Sequence, residues 1–193
     1  EILIEYRRGG ETALATVEPV SGWEMADLAY EAWIERNRRL VDSLSGGRIG
    51  YLHIPSMNES SVDRFVADLY SEGLSRDGMV IDVRGNGGGS THDEIIRRLA
   101  RPDYLVTRAR NGTESLQPLG VWQEPLVLLI NERCFSDAEI FPAGWKEMGL
   151  GPVVGAPTFG GVIGTHDVDL VDGTGFRIPS DGWFTLLGQN LEN

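Results

Sequence analysis

The stretch "LVLLINERCFSDAEIFPAGWKEMG", residues 126–149, sets the reading of this chain. An unbroken apolar run ends at Asn131, a polar turn follows, and the turn passes into an amphipathic segment. An apolar run of this length, bounded by turn residues, suits a strand buried on both faces, and parallel sheets are built of such strands. The segment after it suits a helix, kinked at Pro142. Ser136 stands at the junction and is open to two readings. With Glu139 three residues on, it carries the signature of a capping box. A serine at a helix start is also where the positive end of the helix dipole would favour a nucleophile and a bound oxyanion.

The same alternation surrounds the stretch. "IGYLHIP" (49–55) is a short apolar strand, and 60–74 is a helix with Ser60 or Ser61 near its cap. "GMVIDVR" (78–84) shows no alternation, so it too is expected to be buried on both faces. "GNGGGS" (85–90) is a turn, 91–101 a helix with an apolar stripe, and "GPVVGAP" (151–157) a further strand. "TFGGVIG" (158–164) is a glycine loop, and 166–179 a hairpin turning at "DGTG". Strands alternating with helices predict an α/β core with helices against a largely parallel sheet. Ahead of it, residues 2–18 alternate around "RRGG" as a β-hairpin. Residues 24–45 place Leu28, Trp33, Ile34, Leu40 and Val41 at helical spacing, stopped by "SGG".

The 193 residues suit one domain with a small appendage. A net charge of −12 argues against nucleic acid or an anionic membrane surface as partner. Lys146 is the only lysine, and the single cysteine, Cys134, excludes an internal disulfide. The lone cysteine points to the cytoplasm, or to the periplasm if a signal peptide lies upstream. The histidines and Cys134 are scattered, without H-E-x-x-H or C-x-x-C, and no metal or cofactor is expected. The opening, already patterned and without Met, suggests a piece of a longer protein.

In a parallel sheet the loops leaving the strand C-termini share one edge, where ligands bind. "GNGGGS" and "ERCFSD" are two such loops. Glycine-turn amides facing a helix start can hold a phosphate or an acyl oxyanion. "GNGGGS" has neither the lysine of a P-loop nor the full G-x-G-x-x-G pattern. His53 reads as strand packing, while His92 and His166 remain candidates for a base. Lys146 lies ten residues along the Ser136 helix, about 15 Å away by helical rise, too far to activate it.

Taken in order, "GRIGYLHIPSM … GMVIDVRGNGGG … LVLLINERCFSDAEIF … GPVVGAPTFGGVIG" resembles the catalytic core of the tail-specific and tricorn-type serine peptidases, most closely the tricorn branch. The resemblance runs from about residue 24 to the end. It implies a ClpP/crotonase-like core over 49–193, a linking helix over 23–48, and the last strands of a PDZ domain over 1–22. It matches Ser136 to the nucleophile, the Gly89 and Asp137 amides to the oxyanion hole, and Glu192 to the carboxylate of the charge relay. Gly88, Thr107, Gly160 and Gly161 fall at substrate-binding positions. Thr107 stands near the acidic determinant for basic side chains, and Arg108 and Arg110 beside it suit surface solvation. In the tricorn branch the histidine base lies in a helical domain before the PDZ domain. The position of the tail-specific branch's lysine base is Gly161 here. The resemblance therefore implies a peptidase acting on peptides or unfolded polypeptide, as a homo-oligomer, with its base outside these residues. A non-catalytic peptide-binding module and a crotonase-like acyl-CoA enzyme are the alternatives.

Overall fold

The computed structural model describes residues 1–73, 75–119 and 121–192. The chain divides into two compact units, Glu1–Arg39 and Leu40–Asn193. The first opens with strands β1 (Ile2–Arg8) and β2 (Glu11–Val17), paired antiparallel from Ile2↔Val17 to Arg8↔Glu11. Their connection is the two residues Gly9 and Gly10, the short loop that best matches strand twist. Helix α1 (Gly22–Ser45) follows. It begins with a reciprocal cap: Ser21 N–H donates to the Glu24 carboxylate at 2.7 Å, and Glu24 N–H donates to Ser21 Oγ at 3.2 Å. The expected helix is continuous, and the division between the units falls inside it. Only Ile34 of its apolar set is buried, whereas Leu28 and Leu40 stand exposed.

The second unit runs β3 (Ile49–His53), α2 (Glu59–Gly73), β4 (Gly78–Asp82), α3 (His92–Leu99), β5 (Leu105–Arg108), β6 (Glu114–Gln117), β7 (Leu126–Ile130), α4 (Asp137–Glu147), β8 (Val153–Gly155), β9 (Ile163–Asp169) and β10 (Gly175–Gly182). Strands β3, β4, β7 and β8 form one parallel sheet in that order, with helices in the crossovers. This is the α/β architecture expected of the sequence. Met79, Ile81, Leu126 and Leu128 bury one face of β4 and β7, while Val80, Val127 and Leu129 on the other face are half-buried, so the second face is covered only in part. They pack with Phe65, Leu69, Ile95, Phe141 and Trp145 into one core. The β9–β10 hairpin forms where expected. The β5–β6 hairpin lies in a stretch the sequence had not resolved into strands.

One local expectation changes. The cap of α2 is neither Ser60 nor Ser61 but Asn58, whose Oδ1 accepts the Ser61 N–H at 2.9 Å. Asn58 stands at the correct distance before the first helical turn, and the two serines are already inside it. Helix α4 runs on through Pro142 to Glu147. The expected α2 reached Leu74 and the expected core Asn193, both outside the described residues. Among the described residues no helix is long and apolar enough to cross a membrane.

His53, at the end of β3, is 7% exposed and bonds the Arg84 carbonyl through Nε2 at 3.0 Å. Burial holds its pKa below the ordinary imidazole value, against the raising effect of that bond. Below pH ~6.5 the unfolded chain therefore binds a proton that the folded chain refuses, and stability falls with pH. Thermal unfolding at pH 5 and 7.5 should show this loss, and His53→Gln should shrink it. An equal pH dependence in the variant would assign the loss to other groups.

Candidate active site

Two loops leave the C-terminal ends of adjacent strands, 83–91 after β4 and 131–136 after β7. Buried side chains set their shapes. Asn86, fully buried, donates through Nδ2 to the Ile54 carbonyl at 3.0 Å and accepts the Gly88 N–H at 2.9 Å. Its carbonyl accepts the Phe135 N–H at 3.0 Å, so one asparagine ties the two loops together. Asn131 Oδ1 does the same from the other loop, accepting the Gly85 N–H at 2.9 Å. Gly89 bridges Met57 in parallel fashion. That bridge uses the Gly88 carbonyl and the Ser90 N–H, at 2.9 and 2.8 Å, and leaves the Gly89 N–H out. A Cβ on Gly88 would stand 2.8 Å from the Ser136 Cβ, so only glycine lets the turn approach this closely.

Ser136 has φ 55° and ψ −120°, a backbone state that L side chains rarely adopt. Such a state costs about 1–3 kcal/mol and persists only where the surroundings enforce it. Here they do so through Glu139, which is 5% exposed. Ser136 and Glu139 stand at capping-box positions, and the carboxylate half of the box is made: Glu139 accepts the Ser136 N–H at 3.1 Å. The Glu139 N–H donates to the Ser136 carbonyl at 2.8 Å, and the Ser136 hydroxyl makes no cap hydrogen bond of its own. The same carboxylate also accepts the Gly160 and Gly161 N–H groups, at 2.5 and 2.8 Å. Glu139 thus binds the glycine loop to the helix start. Glu139→Ala would strip three amides of one buried acceptor, and we expect a loss of about 3 kcal/mol in urea denaturation. Wild-type stability in that variant would show that the loop finds other partners.

Asp137, the first residue of α4, is buried, and its carboxylate accepts the His92 backbone N–H at 3.1 Å. The same carboxylate contacts His92 Nδ1. The His92 ring stands edge-on to Trp183, centroids 5.6 Å apart at 90°. These groups, with Gly89, Ser136, Ile140 and Val162, line a cavity of about 320 Å³. The Asp137 N–H lies at the helix's first position, where no intrahelical acceptor exists. Ser136 thus shares one cavity with Gly89 of the first loop and Asp137 at the start of α4.

The remaining candidates distribute as follows. His53 is in the core, and His166 is on the exposed β9. Lys146 lines a different cavity, with Pro157 and Gln189. Gly160 and Gly161 border the site, with their N–H groups taken by Glu139. Glu192 approaches it indirectly, its carboxylate accepting the N–H of the cavity-lining Val162. Thr107 lies on β5 outside that lining, its hydroxyl donating to the Ser115 carbonyl at 3.2 Å, and Arg108 pairs with Glu114 on the surface. Sequence reasoning missed Asn86, Trp183, the carboxylate role of Asp137 and the bonds of Glu139 to Gly160 and Gly161. Of these, only Asn86, a lone amide in a glycine turn after a buried strand, carried a local signal.

A parallel α/β core with this junction defines the class, and comparison with known proteins agrees. Residues 48–193 match peptidase family S41, and the chain belongs to that family. It is 37% identical over its whole length to tricorn protease homolog 1 of Streptomyces coelicolor, covering 18% of that protein. It is 37% identical over 86% of its length to the tricorn protease of Thermoplasma acidophilum, covering 16%. A crystal structure of the tricorn protease superposes with a TM-score of 0.74 over 91% of this chain and 17% of that one, at 33% identity. The chain thus spans less than a fifth of the length of these relatives.

Proposed function

We propose that the chain is the catalytic core of a serine peptidase that cleaves peptides or unfolded polypeptide through an acyl-enzyme on Ser136. The observation that carries this is the strained Ser136, which lines one cavity together with Gly89 and Asp137. Ser136 Oγ attacks the scissile carbonyl carbon and gives up its proton to a base. The carbonyl oxygen, now an oxyanion, takes hydrogen bonds from the Gly89 and Asp137 N–H groups. Collapse returns the proton to the leaving amine and leaves an ester on Ser136, which water then hydrolyses.

The base is a histidine contributed from outside residues 1–193, with Glu192 orienting it. The length of the named proteases that resemble this chain supports that view. So does the absence of lysine near Ser136. The fragment alone is then nearly inactive, and the full-length protein, as a homo-oligomer, is the working enzyme. Hydrolysis of a fluorogenic peptide by both forms tests this. Turnover by residues 1–193 alone, lost in Ser136→Ala, would place the base inside them.

A further inference from the structure

We propose that His92 is a positioning residue of this site, which acts through the Asp137 carboxylate to hold the two oxyanion amides in register. The inference rests on the oxyanion hole proposed above. Its two amides sit on separate loops, Gly89 after β4 and Asp137 at the start of α4. On the strand side, Asn86 and Asn131 join those loops. On the helix side, the Asp137 side chain reaches back, and its hydrogen-bond partners are the His92 N–H and the His92 ring. Asp137 therefore lines the cavity while its own carboxylate is anchored at His92, the first residue of α3.

Burial gives the anchor its force. The Asp137 side chain is 4% exposed, and a buried carboxylate without partners is strongly disfavoured. A carboxylate can only accept, so the imidazole bears its proton on Nδ1 and donates it. Trp183, edge-on to the ring, restrains its plane. With the imidazole removed, Asp137 keeps one backbone bond, and its carboxylate swings toward water. The tie between the start of α3, which follows directly on the Gly89 turn, and the start of α4 is then weakened, so the Gly89 loop can shift against the Asp137 amide.

An asparagine at 92 separates this role from others, because its amide can donate to Asp137 but cannot accept a proton from Ser136. In the full-length protein, kcat and KM for a fluorogenic peptide would be measured for wild type, His92→Ala, His92→Asn and Ser136→Ala, with a melting curve for each. His92→Ala should lower kcat about 10- to 100-fold. KM should stay within about threefold, because ground-state binding does not use the amides fully. His92→Asn should recover most of the lost kcat. Full kcat in His92→Ala would overturn the proposal, and so would a loss confined to KM. A kcat as low in His92→Asn as in His92→Ala would also overturn it, and would make His92 a proton acceptor instead. Turnover indifferent to Ser136→Ala would instead sink the assignment of Ser136 as nucleophile, on which this proposal rests.

Discussion

Ser136→Ala in the full-length protein should abolish peptide hydrolysis, with a loss in kcat on the order of 10⁶. It should do so with little change in stability. The Ser136 hydroxyl makes no cap hydrogen bond, and the Glu139 carboxylate reaches the backbone N–H, which alanine retains. A serine serving only as helix cap makes the opposite prediction, about 1 kcal/mol of lost stability and unchanged turnover. The two roles are thus separated by measuring both quantities on one variant. Ser136→Gly offers a second contrast. It should be equally inactive yet more stable than Ser136→Ala, because glycine accepts φ 55° without strain. Equal stability of the two would mean that the backbone at 136 is not held against its preference.

Gly89→Ala is expected to be the second most damaging change. Its φ is 148°, and an added Cβ would stand 1.8 Å from the Met57 carbonyl oxygen and 2.5 Å from its carbon. Both obstacles are backbone, so no rotamer change relieves them. The turn must withdraw, breaking the Met57–Gly88 and Ser90–Met57 bonds and carrying the Gly89 amide away from Ser136. Loss of one oxyanion donor costs roughly 3 kcal/mol of transition-state stabilisation, a factor of 10²–10³ in kcat. Some loss of folding stability should accompany it. Gly87→Ala is the control, since a Cβ there meets nothing within 4 Å. A Gly89→Ala variant with wild-type kcat would show that the turn does not contribute the oxyanion amide.

Much of the fold was legible because burial wrote it into local pattern. The apolar runs 78–82 and 126–130 lack alternation since one face is buried and the other at least half-covered, and this marked them as inner strands of a parallel sheet. Once they were parallel, their following loops had to share an edge, so "GNGGGS" and "ERCFSD" were brought together by topology alone. What escaped was carried by contacts between distant positions. Asp137 and His92 lie 45 residues apart in sequence, and nothing in either neighbourhood signals the other. Glu139 looked fully explained as a capping residue, which concealed its bonds to Gly160 and Gly161 more than 20 residues on. Trp183 reaches the site from the end of the β9–β10 hairpin, a stretch whose pattern gave strands but no direction. The α2 cap was misread for a smaller reason. Ser60 and Ser61 stand two and three residues after Asn58, and both residue types suit a helix start; only the boundary of the helix decides among the three positions.

The most direct test of Ser136 as nucleophile is intact-mass measurement after treatment with a fluorophosphonate probe. The full-length protein, residues 1–193 and the full-length Ser136→Ala variant would be treated side by side. One adduct is expected on the full-length protein, none on Ser136→Ala, and little or none on residues 1–193. An unlabelled full-length protein, or the same adduct on Ser136→Ala, would contradict the assignment and return Ser136 to the role of a helix cap.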